Sequence, residues 1–132
     1  MRGQQYDHEM AVMERDYSGL QWGKLGPTDV DGFLDFGGEV FVFLEFKGSL
    51  GGMGKLSYGQ ELALTRLVDA CSKAGVQSYL FLCHHDTPRG QAIVAHECTV
   101  TSRYDHGIWH TPRSTVSLKV AVSQVIPVRF KG

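Results

Sequence analysis

The sequence predicts an α/β domain, with a small central mixed β-sheet flanked by helices and residues 1–132 forming one unit. Three segments carry that prediction. Val40 to Phe46 is an apolar run with hydrophobic residues on both strand faces, the pattern of an interior strand. Ser57 to Ala74 has Leu62, Leu64, Leu67, Val68 and Cys71 at helical spacing. Val76 to Cys83 is a second apolar strand, and a strand–helix–strand order implies a parallel pair joined by a right-handed crossover.

The remaining elements follow in order. Gln4 to about Tyr17 reads as a helix, because Tyr6, Met10 and Met13 recur at helical spacing, and Ser18-Gly19 ends it. Gln21 to Pro27 reads as loop or an irregular first strand, broken by Gly23, Gly26 and Pro27. Asp31 to Phe36 is a strand, and Gly37-Gly38 a tight hairpin turn that folds it against Val40 to Phe46. Gly48 to Gly54 is a flexible loop, and Ala74-Gly75 stops the helix after it.

His84 to Arg89 reads as loop. Ala92 to Tyr104, rich in Val and Thr, reads as a strand that Gly107 to His110 pairs with. Thr115 to Ile126 fits strand or helix and is assigned as helix, with Ser114 or Thr115 as its cap.

Composition narrows the function classes. Hydrophobic residues make up 42% and charged residues 20%, ordinary for a globular domain large enough to hold a core. No run approaches the ~18 apolar residues of a membrane span, so no membrane partner is expected. Residues 1–7 lack the apolar core of a secretory signal, which implies a cytoplasmic location. Cys71, Cys83 and Cys98 have no metal-binding spacing and are expected to stay reduced. The net charge of −1 lacks the basic excess of a dedicated DNA binder, although Lys119 to Lys131 carries three cations and no acid.

Chemistry is most concentrated at Glu45-Phe46-Lys47. Residues two apart on a strand share a face, so Glu45 and Lys47 project together from an otherwise buried element. Two buried charges cost several kcal/mol apiece unless compensated. Mutual pairing is the simplest compensation; a bound metal ion is the alternative adopted. The hairpin brings Asp31, at the start of one strand, beside Glu45 near the end of the next. Two carboxylates there form an open oxygen site for a hard cation such as Mg²⁺ or Mn²⁺, with Lys47 placed to orient water or steady negative charge. Asp29 and Asp35 share the strand face of Asp31, so parity does not choose among the three.

Asp31, an apolar strand and Glu45-Phe46-Lys47 together resemble the PD-(D/E)XK nuclease superfamily, in particular its small Holliday-junction-resolvase-like and phage-type branch. The resemblance spans roughly Glu9 to Cys83. Pro27 and Asp29 are separated by Thr28, which departs from the family's adjacent proline–aspartate pair. The resemblance implies a restriction-endonuclease-like core and a Mg²⁺-dependent endonuclease that hydrolyses phosphodiester bonds in duplex or branched DNA. It assigns Asp31, Glu45 and Lys47 to catalysis and adds Glu14, with Glu9 as alternate, as a further metal-site acid. Gln60 matches a glutamine often found there. The resemblance is also compatible with a homodimer and with a phage-encoded protein acting in the host cytoplasm. The alternative is a non-catalytic nuclease-fold protein that binds nucleic acid or inhibits a partner.

Other polar clusters are read more plainly. Gly48 to Lys55 lacks the Gly-Lys-Ser/Thr ending of a phosphate loop, since Leu56 follows Lys55, and is expected instead to close on nucleic acid through Lys55. His84 and His85 are expected as polar loop residues near the site that touch phosphate. Trp109, between His106 and His110, is assigned to packing rather than to base stacking.

Overall fold

The structure, a computed structural model, describes residues 15–48 and 55–131. Its strands are β1 (Gly32–Phe36), β2 (Val40–Gly48), β3 (Gln77–His85), β4 (Thr99–Asp105) and β5 (Ile108–His110); its helices are α1 (Tyr58–Lys73) and α2 (Leu118–Ser123). The five strands lie in the spatial order β1-β2-β3-β4-β5. Only β2 and β3 run parallel; the other neighbouring pairs are antiparallel. This is the expected mixed sheet. Among the described residues no helix is long and apolar enough to cross a membrane.

The β1–β2 turn sets the register on which the site depends. Gly37 and Gly38 have φ of 64° and 75°, both left-handed, at the centre of the tight turn in the three-residue loop, Gly37 to Glu39, between Phe36 and Val40. Glu39 N–H donates to Phe36 O at 3.1 Å, and Gly38 N–H to Asp35 Oδ1 at 2.8 Å. From Phe36↔Val40 the ladder runs back to Gly32↔Leu44, so Asp31 arrives opposite Glu45. The C-terminal residues brace the turn: Phe130 packs edge-on against Phe36, and Arg129 pairs with Glu39.

Strand alternation divides the core into two layers. Val42, Leu44, Tyr79, Phe81 and Cys83 pack with Leu118, Ala121 and Val122 of α2. On the other face Phe43 and Leu80 pack with Leu64 and Val68 of α1 and with Tyr104. Both faces of β2 and β3 are therefore covered, which is why their sequences read as continuous apolar runs. α1 starts with a capping box. Ser57 Oγ accepts from Gln60 N–H, and Gln60 Oε1 accepts from Ser57 N–H, both at 3.2 Å. It ends at Ala74, followed by Gly75 with φ of 102°.

Several expectations are corrected. β3 continues through His84 and His85, which pair with Lys47 and Gly48 rather than lying in a loop. The backbone ladder continues past the apolar run that marks the strand in sequence. β4 begins at Thr99, not Ala92, because Ala95–Glu97 forms a 3₁₀ turn first. α2 is shorter than 115–126 and is capped by Ser117, whose hydroxyl accepts from Val120 N–H, not by Ser114 or Thr115. Val116 O instead accepts from Val100 N–H, which draws that segment alongside β4. Arg15 to Tyr17 are not helical, and the rest of the expected first helix, 4–14, lies outside the described residues. Residues 49–54 of the expected glycine-rich loop also lie outside them.

Candidate functional site

Glu45 projects from β2 on the side covered by α1 and is only 3% exposed. Its carboxylate is held from two directions. Gln60 Nε2 donates to Oε1 at 3.2 Å, and Asp31 N–H approaches Oε2 at 3.4 Å. Lys47 Nζ lies 3.9 Å from Oε1 and donates to Gln60 Oε1 at 3.1 Å. One glutamine side chain thus binds the acid through its amide nitrogen and the lysine through its oxygen. Phe46 N–H donates to Asp31 Oδ2 at 2.8 Å, which fixes the second carboxylate against β2.

Local sequence explains this convergence. Glu45 and Lys47 share a face by strand parity. Gln60 sits at the third position of α1, where its capping role turns its side chain back toward the sheet end. Asp31 stands one residue before β1, and the hairpin register sets it beside Glu45. Asp35, by contrast, pairs opposite Phe41 at the turn end and spends its carboxylate on Gly38. Asp31, and not Asp35, is therefore the aspartate that lies beside Glu45. Asp29 lines a shallow cleft with Asp31, Arg15 and Tyr17 but makes no hydrogen bond to Glu45.

Burial raises the Glu45 pKa to about 6, and the neighbouring Asp31 charge pushes the same way; the Asp31 N–H and the Lys47 ammonium only partly offset them. Two carboxylates, one buried, repel each other in this corner. That is the electrostatic setting in which a divalent cation is favoured, and Mg²⁺ commonly takes one or two protein carboxylates and otherwise keeps water. Among the described residues no group of three or more His, Cys, Asp and Glu side chains is arranged to hold a metal ion, and at this corner Asp31 and Glu45 are the two carboxylates brought together. Lys47 is 25% exposed, so its side chain reaches the solvent edge of this corner.

The other expected residues divide. Glu14 and Glu9 lie outside the described residues. Lys55 is exposed, just ahead of the α1 cap, and joins no hydrogen bond or ion pair among the described residues. His84 is in register with Lys47 and shares its face, with Nε2 3.1 Å from Asp86 Oδ1. His85 points to the opposite face, its ring against the Gly48 backbone, where an added Cβ would stand 3.2 Å from it. His85 Nδ1 accepts from Thr87 N–H at 3.2 Å. Cys71, Cys83 and Cys98 are free thiols. Burial pushes Cys83 up to about 12, which removes it as a nucleophile.

Sequence reading missed a second polar cluster. Asp105 is buried, with Arg103 Nε and His110 Nε2 at 3.1 and 3.0 Å from Oδ1 and His106 Nδ1 at 2.8 Å from Oδ2. The alternation of Arg103 and Asp105 on one strand face was the available signal. Trp109 packs on Tyr104 at 5.2 Å between ring centroids, as expected. No family model, no curated protein and no solved structure matches this chain.

Proposed function

We propose that the chain is a divalent-cation-dependent endonuclease acting on DNA, with a restriction-endonuclease-like core of the PD-(D/E)XK type. The observation that carries this reading is the network in which Gln60 ties Glu45 to Lys47 beside Asp31. A salt bridge alone would explain Glu45 and Lys47, but at 3.9 Å it is the weakest contact in the set. It gives no reason for Asp31 to be brought next to a buried carboxylate.

Asp31 and Glu45 would hold Mg²⁺ or Mn²⁺, which supplies Lewis acidity and a more acidic water. Lys47, oriented by Gln60, donates to the attacking water or to the negative charge growing on phosphate oxygens. Gln60 keeps the ammonium and the carboxylate from collapsing into a closed ion pair. Glu14 joins the acids by the resemblance; Arg15, next in sequence, lines the cleft that Asp31 borders. Lys55 and His84 would contact the substrate backbone near this rim. Duplex or branched DNA, a homodimer and a cytoplasmic setting, including that of a phage-infected host, belong to the same proposal.

A second reading, a non-catalytic nuclease-fold binding or inhibitory module, is favoured by one feature: both Glu45 oxygens accept hydrogen bonds from protein groups, Gln60 Nε2 and the Asp31 N–H. Incubation of purified protein with plasmid and branched DNA in Mg²⁺ or Mn²⁺ separates the two. Cleavage that disappears in Glu45→Ala and Lys47→Ala supports the enzyme. No cleavage by the wild type, or equal cleavage by the variants, rejects it.

A further inference from the structure

A cleft of about 490 Å³ lies on the other side of the sheet from Glu45 and Lys47, between β4, residues 111–116 and α2. Its polar lining includes Arg103, His110, Arg113, Ser114, Thr115 and Gln124, and no carboxylate lines it. Its floor is apolar, formed in part by Phe81 and Val100.

Arg103 is held in place rather than loosely tethered. Its Nε is 3.1 Å from Asp105 Oδ1, and its guanidinium centre sits 5.8 Å from the Tyr79 ring centroid. Among the described residues nothing engages its two terminal nitrogens by hydrogen bond. A guanidinium anchored through Nε, with its outer edge free, has already lost much of the freedom that binding an anion would cost. Asp105 offsets the Arg103 charge, so the uncompensated cation of the cleft is Arg113. Arg113 is exposed and makes no hydrogen bond or ion pair among the described residues. Three hydroxyls, of Thr111, Ser114 and Thr115, and the Gln124 carboxamide add neutral donors from the loop and from just beyond α2. Donors arriving from three elements suit a tetrahedral oxyanion better than a planar carboxylate, which accepts in one plane.

We propose that this cleft is a phosphate-binding site, with Arg103 and Arg113 as its cationic donors. The phosphate belongs either to a small phosphomonoester or to a nucleic-acid backbone. The proposal does not depend on the endonuclease reading, because it uses the opposite face of the sheet and needs no metal.

The test is a metal-free NMR titration of the full chain with inorganic phosphate, adenosine monophosphate, a short DNA duplex and acetate. Phosphate is expected to move the amides of Thr111 and of residues 113–116 and the Arg103 Nε–H saturably, with a dissociation constant on the order of 1 mM. Arg113→Ala should weaken binding about tenfold, the loss of one charged hydrogen bond. Ser114→Asp, at an exposed position that should not disturb folding, should abolish it. A duplex that moves the same amides assigns the phosphate to nucleic acid; a response to phosphate and the mononucleotide only assigns it to a small ligand. An acetate response equal to that of phosphate, no saturable response, or unchanged affinity in both variants overturns the site. DNA cleavage is read separately and can fail without touching this result.

Discussion

Gln60 Nε2 donates to Glu45 Oε1 at 3.2 Å, which couples the first turn of α1 to the end of β2 through a buried carboxylate. The same side chain accepts from Lys47 and from the Ser57 N–H, so one residue serves both helix start and charge cluster. Gln60→Ala should therefore cost about 1 kcal/mol in unfolding free energy through the lost cap and the orphaned carboxylate contact. Its cleavage rate should fall about tenfold, a larger effect than the stability loss explains. Denaturant melts and single-turnover cleavage on one preparation check both.

Glu45 sets a pH signature. Its folded pKa, about 6, lies above the ordinary 4.5, so the folded state binds the extra proton between those values. Stability in metal-free buffer should then fall as pH rises through that window, by about 2 kcal/mol in total, and stay at the lower level above pH 6. Glu45→Gln should remove this slope and be at least as stable as wild type above pH 6, although inactive. Unfolding free energies of the two proteins across the window decide it; parallel curves would reject the assignment.

Activity should separate the three charged residues by role. Asp31→Asn and Glu45→Gln should abolish metal-stimulated cleavage and weaken metal binding together. Lys47→Ala should lower the rate about 10²–10³-fold, the size of a lost electrostatic group, while leaving metal affinity within a fewfold of wild type. Paired calorimetry and cleavage assays on the three variants measure this split.

The two glycines of the β1–β2 turn should differ in their tolerance of a side chain. At Gly38 nothing lies within 4 Å of an added Cβ, so Gly38→Ala should cost only the left-handed backbone penalty, about 1–2 kcal/mol. At Gly37 an added Cβ would come within 2.9 Å of Arg129 Nη2, so Gly37→Ala should cost more and loosen the Arg129–Glu39 pair. Thermal melts of the two variants, ranked against each other, check the order.

Much of this architecture was legible because it rests on local chemistry. Two adjacent glycines dictated the hairpin, and the hairpin brought Asp31 to Glu45. Apolar runs on both faces marked β2 and β3 as interior strands, and helical spacing located α1. What escaped depends on partners distant in sequence. His84 and His85 look like loop residues until the β2 backbone pairs with them. Ser117 rather than Thr115 caps α2 because Val116 is drawn alongside β4. Asp105 gathers Arg103, His106 and His110 through a hairpin bend that composition does not reveal. Gln60 stood out in the sequence only by a resemblance, and its link between Glu45 and Lys47 required the helix to be laid against the strand end.

The most direct measurement is a Mn²⁺ titration followed by NMR line broadening. Saturable binding should broaden the amides of Asp31, Glu45, Phe46 and Gln60 first, and Asp31→Asn should eliminate that effect while the protein stays folded. Broadening that begins elsewhere on the surface, or that persists unchanged in Asp31→Asn, would contradict a metal held between Asp31 and Glu45.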